Sequence, residues 1–163
     1  MLPEPFYRDE RSNITIYCGD ALEILPDLQR VGLVCTDPPY GFEYAEWDEA
    51  IPDLAWLDWC RANSDATVFT PGNSNQRKYP DPTWTLCWAR PGSIQLAGYQ
   101  CFSHWEPVLV YAARNPYTVD LKILPPNTGA AHFNHPCPKP LALMNWLILG
   151  SKTEGVVLDP FMG

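Results

Sequence analysis

The chain has 163 residues, 46% of them hydrophobic and 18% charged, with 18 Pro, 10 Gly, 7 Trp, 8 Tyr and 6 Phe. That length suits one globular core, and so apolar and aromatic a composition excludes disorder, because enough surface can be buried to offset the ordering entropy. The net charge of -8 argues against an anionic partner, but residues 1 to 66 carry 14 acids and 4 bases while residues 67 to 163 carry 5 acids and 7 bases, so a phosphate-bearing partner is expected at the second part.

No apolar run reaches the roughly 18 residues needed to cross a bilayer, and the start MLPEPFYRDE lacks a basic-then-apolar leader, so a soluble, cytoplasmic protein with no membrane partner is expected. Cys18, Cys35, Cys60, Cys87, Cys101 and Cys137 are scattered, with no CxxC pair, and read as mostly buried thiols.

In chain order, SNITIYCGD alternates Ile14, Ile16 and Cys18 with polar residues and predicts a strand that stops at Gly19-Asp20. ALEILPDL has the apolar spacing of a short helix. VGLVCT is a continuous, β-branched run, as a buried central strand requires, and the prolines of Asp37-Pro38-Pro39-Tyr40 must end it. IPDLAWLDWCRAN predicts a helix with Pro52 in its first turn, and ATVFT a third strand. Strand, helix, strand, helix, strand is the pattern of parallel crossovers. TWTLCWA (83–89) and HWEPVLVYAA (104–113) read as an antiparallel pair. Residues 114 to 138 read as loop, PLALMNWLILG as a helix stopped by Gly150, and GVVLD as a last buried strand ending at Asp159.

The sharpest feature is LVCTDPPYG, residues 33 to 41. Asp37 stands at a predicted strand end, where open α/β sheets place ligands, and two prolines aim the carbonyls of Asp37 and Pro38 with little freedom. A carboxylate and a rigid carbonyl can together accept both hydrogens of an NH2 group, and the Tyr40 ring offers a stacking surface. A second strand end, GVVLDPFMG, carries Asp159-Pro160-Phe161 and Gly163, a loop able to approach a nucleotide-like cofactor. Cys18-Gly19-Asp20 is a third.

With GDALEIL, TDPPYG followed by Trp47-Asp48, WARPG, HWEPVLVYA, NHPCPKPLALMNWLI and LDPFMG in that order, the sequence resembles an amino-group DNA methyltransferase of the permuted class, in which the catalytic motif precedes the cofactor motif. The resemblance implies a circularly permuted, Rossmann-like α/β fold in a single methyltransferase domain over residues 1 to 163, working on double-stranded DNA in a bacterial or phage-infected cell. It implies S-adenosylmethionine as cofactor, lined by Asp159, Pro160, Phe161 and Gly163 beside Asp37, with Asp20 near its adenine and His135, Lys139 and Pro140 at its methionine end. Asp37, Pro38, Pro39 and Tyr40 would be the catalytic set, with adenine N6 the first target and cytosine N4 the second. In that family the cofactor loop continues past its glycine into a helix and an acidic strand end, so a C-terminally truncated domain is expected here. A non-catalytic remnant that binds nucleic acid or a partner chain, and an enzyme acting on RNA or protein, are the alternatives.

Residues 71 to 104 are the expected small target-recognition region, in which Asn73, Asn75, Arg77, Lys78, Trp84 and Arg90 together suit phosphates and base edges, with Arg77, Lys78 and Arg90 as the phosphate contacts; a solvated loop is the alternative. His132, His135 and Cys137 lack a fourth ligand and are not read as a metal site. Trp56 and Trp59 are expected to pack their helix, and His104 to sit at a strand end.

Overall fold

A computed structural model of the chain describes residues 1–43, 48–93, 96–97, 101–125 and 138–162. Its centre is a six-stranded sheet in the order β10-β3-β4-β8-β5-β9. The strands are β3 (Val31–Thr36), β4 (Ser64–Phe69), β5 (Trp84–Ala89), β8 (Trp105–Ala112), β9 (Leu121–Ile123) and β10 (Val157–Leu158). β10, β3 and β4 run parallel, β8 is antiparallel to both β4 and β5, and β9 is parallel to β5. Two small hairpins stand outside it, β1 (Tyr7–Asp9) with β2 (Ile14–Ile16), and β6 (Leu96–Ala97) with β7 (Cys101–Phe102).

Period-two alternation divides the side chains between two layers. Leu33, Cys35, Ala66, Val68, Leu86, Trp88, Val108 and Val110 pack with Leu143 and Leu147 of α3 (Leu141–Ser151). On the other side Val34, Phe69, Leu109 and Tyr111 pack with Trp56, Leu57 and Cys60 of α2 (Ala55–Asn63), beside Leu25 at the end of the one-turn α1 (Ala21–Ile24). β3 is buried along its whole length, as its unbroken apolar run requires.

Several sequence expectations are corrected. The ITI segment does not join the main sheet. Asp9 accepts from Arg11 N and Ser12 Oγ, and Asn13 takes a φ of 52°, so the chain turns back and ITI pairs with Tyr7–Asp9. Asp20 is therefore not a third strand end of that sheet. It caps α1, its Oδ1 accepting from Leu22 N at 2.8 Å. Pro52 precedes α2, whose first amide, Ala55 N, is bonded to Asp53. Gly150 does not stop α3. The helix runs past it to Ser151 and ends at Lys152 in the left-handed region, and the glycine instead makes room for the Tyr117 ring, from which a Cβ at 150 would stand 2.7 Å. The segment read as loop from 114 contains β9, and β10 is a short, half-open edge strand rather than a buried one. Among the described residues no helix is long and apolar enough to cross a membrane.

Candidate active site

Strand direction brings the polar groups to one end of the sheet. β10, β3 and β4 present their carboxyl ends there, followed by Asp159, Asp37 and Thr70. β5 runs the same way and is followed by Arg90, while antiparallel β8 enters at that edge and contributes Glu106 near its start. Thr36 lies opposite Phe69 across the ladder, so the next residues on each strand, Asp37 and Thr70, are neighbours, and Thr70 Oγ1 donates to Asp37 Oδ1. Lys139, just before α3, donates from Nζ to Asp37 Oδ2 at 2.6 Å. The Tyr40 hydroxyl is 2.7 Å from Asp37 Oδ1 and 2.6 Å from Glu106 Oε1.

The loop that carries these groups is clamped from below. Asp48, only 3% exposed, accepts from the backbone N–H of Tyr40 at 2.6 Å, Gly41 at 2.9 Å and Phe42 at 3.1 Å. Asn75 donates to the Tyr40 carbonyl at 2.8 Å. Gly72, with a φ of +72°, lies against the Tyr40 ring, where a Cβ would come within 3.2 Å. Lys139 Nζ stands 4.8 Å from the ring centroid. Pro38 is buried and Pro39 half-buried, so the Asp37-Pro38-Pro39 turn is held by fixed φ angles above and hydrogen bonds below.

Asp159 accepts from Thr36 Oγ1 and from Phe161 N, the latter at 3.0 Å. The residue is exposed overall, but its Oδ1 is turned onto buried Thr36. Burial of the carboxyl, with a smaller push from Asp37, holds it above its ordinary pKa against the two hydrogen bonds that favour the charged form. Phe161 meets Trp56 edge-on, with ring centroids 5.1 Å apart, so α2 supports the Asp159 loop through one aromatic contact. Burial first, then the charges of Asp37 and Glu106, push the Tyr40 phenol well above its ordinary value, and burial pushes the Cys35 thiol to about 12.

Of the residues expected from sequence, Asp37, Tyr40, Lys139 and Asp159 come together at this edge. Pro140 begins α3 and its carbonyl accepts from Leu143 and Met144 N. His135 and Gly163, with Trp47, His132 and Cys137, lie outside the described residues. Arg77 and Lys78 are exposed in a single 3-10 turn, Gln76–Lys78. Arg90 is not a surface group as expected. It is 7% exposed, pairs with Glu106 at 3.3 Å and stacks its guanidinium on Trp88, so it is spent inside the protein. Asn73 and Asn75 are likewise committed to Trp105 O and Tyr40 O, and Trp84 begins β5, at the strand's opposite end. Sequence reasoning gave no role to Thr70 or Glu106. An acid within the apolar HWEPVLVYAA run was the available signal for Glu106.

No protein-family model and no curated protein matches the sequence. Solved structures do match in shape. M1.HpyAVI in complex with SAM superposes with a TM-score of 0.60 at 19% identity, over 90% of this chain and 81% of the other. The fold is that of the methyltransferases. M1.HpyAVI alone gives 0.59 at 21% identity over 90% and 80% of the two chains. TTHA0409 of Thermus thermophilus, assigned as a DNA modification methylase, gives 0.54 at 17% over 89% and 78%. Within this methyltransferase fold the chain order is permuted as expected: the strand before Asp159 comes last in sequence yet lies beside the strand before Asp37.

Proposed function

We propose that the protein transfers a methyl group from S-adenosylmethionine to the exocyclic amine of a DNA base flipped out of its duplex, adenine N6 in the first place. The observation that carries this is the placement of Asp37 and Asp159 at the carboxyl ends of adjacent parallel strands, with a rigid Pro-Pro turn after the first. The residues at this edge fit the cofactor: Asp159 suits a sulfonium or an ammonium group, and Asp37 lies beside it with its charge balanced by Lys139 at 2.6 Å. When bound, that cofactor supplies an electrophilic methyl. Asp37 and the Pro38 carbonyl would accept the amine hydrogens, localising a lone pair otherwise delocalised into the ring, and the Tyr40 ring would receive the extruded base. Arg77 and Lys78, exposed on the more basic part of the chain, would contact phosphates.

Incubation of the protein with S-adenosylmethionine carrying a labelled methyl and, in parallel reactions, unmethylated DNA, RNA or protein, followed by mass spectrometry of the released nucleosides or peptides, tests the reading. N6-methyladenine formation by the wild type and none by Asp37→Ala is expected. Label in RNA or protein alone would replace the substrate assignment.

A further inference from the structure

We propose that Lys139 gates the substrate side of Asp37: it holds Asp37 Oδ2 and releases that oxygen to the target amine only when its ammonium is taken by an anion, the cofactor carboxylate or a DNA phosphate. The inference rests on the reading of Asp37 as the amine acceptor.

The two oxygens of Asp37 are held differently. Oδ1 has the hydroxyl oxygens of both Thr70 and Tyr40 upon it, the latter at 2.7 Å, and those two hydroxyls are bonded to each other. A carboxylate oxygen offers about two lone-pair sites, so Oδ1 is occupied whichever way the hydrogens point. Neither neighbour is placed to leave. Thr70 is 1% exposed, just after β4, and the Tyr40 hydroxyl is also 2.6 Å from Glu106 Oε1, with Gly72 against its ring. A substrate is left with Oδ2, where among the described residues the partner is the Lys139 ammonium at 2.6 Å. The same ammonium stands over the Tyr40 ring, 4.8 Å from its centroid. An amine nitrogen bonded to Oδ2, on a base stacked against Tyr40, would need much the same two distances, so Lys139 holds the place of the target amine. A neutral amine cannot take that place unaided, because a charge-assisted hydrogen bond is about twice as strong as a neutral one. The ammonium must therefore be offered another anion. Its flexible four-carbon stem lets it swing while the next residue, Pro140, stays fixed by its carbonyl to Leu143 and Met144 N.

Deoxyadenosine, which carries the amine but no anion, is the probe, with binding read from chemical-shift changes of the isotope-labelled protein. Lys139→Met should bind it about tenfold more tightly than wild type, because the gate keeps the competent state near a tenth of the population. The gain should vanish for N6,N6-dimethyldeoxyadenosine, which has no amine hydrogen, and when Asp37→Asn is added to Lys139→Met. If the cofactor carboxylate is the anion, S-adenosylhomocysteine should give wild type the same gain for deoxyadenosine. If a phosphate is, deoxyadenylate should show the gain over deoxyadenosine by itself in wild type and lose it in Lys139→Met. These wild-type arms decide the matter if Lys139→Met does not fold, and the absence of both effects overturns the gate. So does a Lys139→Met that binds deoxyadenosine no better than wild type. Either result in a protein that forms N6-methyladenine leaves the reading of function standing, whereas deoxyadenosine binding indifferent to Asp37→Asn in every background overturns the reading of Asp37 itself.

Discussion

A carboxylate that receives three consecutive backbone amides does more for the active loop than any residue inside it. Asp48 is buried and bonded to Tyr40, Gly41 and Phe42 N–H. Asp48→Ala leaves those donors without a partner and is expected to lower stability by about 2 to 4 kcal/mol, read by denaturant unfolding. A loss under about 0.5 kcal/mol would mean that the loop is held elsewhere. Asp159 behaves in the opposite sense. Its pKa is raised above 3.8 in the folded chain, so its ionisation disfavours folding: the native state is at its full strength below the unfolded value and loses stability as pH rises through the folded one. Asp159→Asn keeps the oxygen that accepts from Thr36 and Phe161 and should raise the thermal midpoint slightly at pH 7, with no gain below pH 3.8. An equal gain at both pH values would exclude the charge as its cause.

At the scale of elements, the contact that fixes the site is the approach of the chain before β10 to β3. A Cβ at Gly32 would come 1.8 Å from the Glu154 backbone carbonyl, where no side-chain rotation can relieve it. Gly32→Ala should therefore push β10 off the sheet and cost at least about 3 kcal/mol by chemical denaturation. A near-neutral effect would show that β10 contributes little to the folded state. β3, β4, α2, β5, β8 and α3 were legible because each carries an apolar run or face long enough to report its own period, and Asp37 because two prolines mark where its strand stops. What escaped reading depended on partners remote in sequence. The three residues of ITI alternate as any strand does, and only the turn through Asn13 assigns them to a hairpin. Gly150 looks like a stop until Tyr117 is seen to need its space. Arg90 looks like a surface cation until Glu106, from the neighbouring strand, is found beside it.

For the molecule as a whole, the acidic total gives no guide to a polyanion's approach, which depends on where bases stay exposed. With Arg90 internal, Arg77 and Lys78 are left from the expected set. Replacing both with Ala should flatten the slope of log DNA affinity against log salt by up to about 2, and an unchanged slope would place the DNA on another face. The two halves of the site also differ in when they can exist. Asp37 and Thr70 come from strands joined by one short helical crossover, whereas Asp159 meets Thr36 across 123 residues of chain. Bringing such distant ends together costs about 4 kcal/mol of loop entropy, and a two-residue edge strand returns little of it. In native-state hydrogen exchange the amides of Val157 and Leu158 should therefore open well before those of Val34 and Val68, and equal protection would contradict this. During synthesis the strands that carry Asp37 and Thr70 can pair while the chain that carries Asp159 is still unmade, so the Asp159 loop is expected to join an edge already formed.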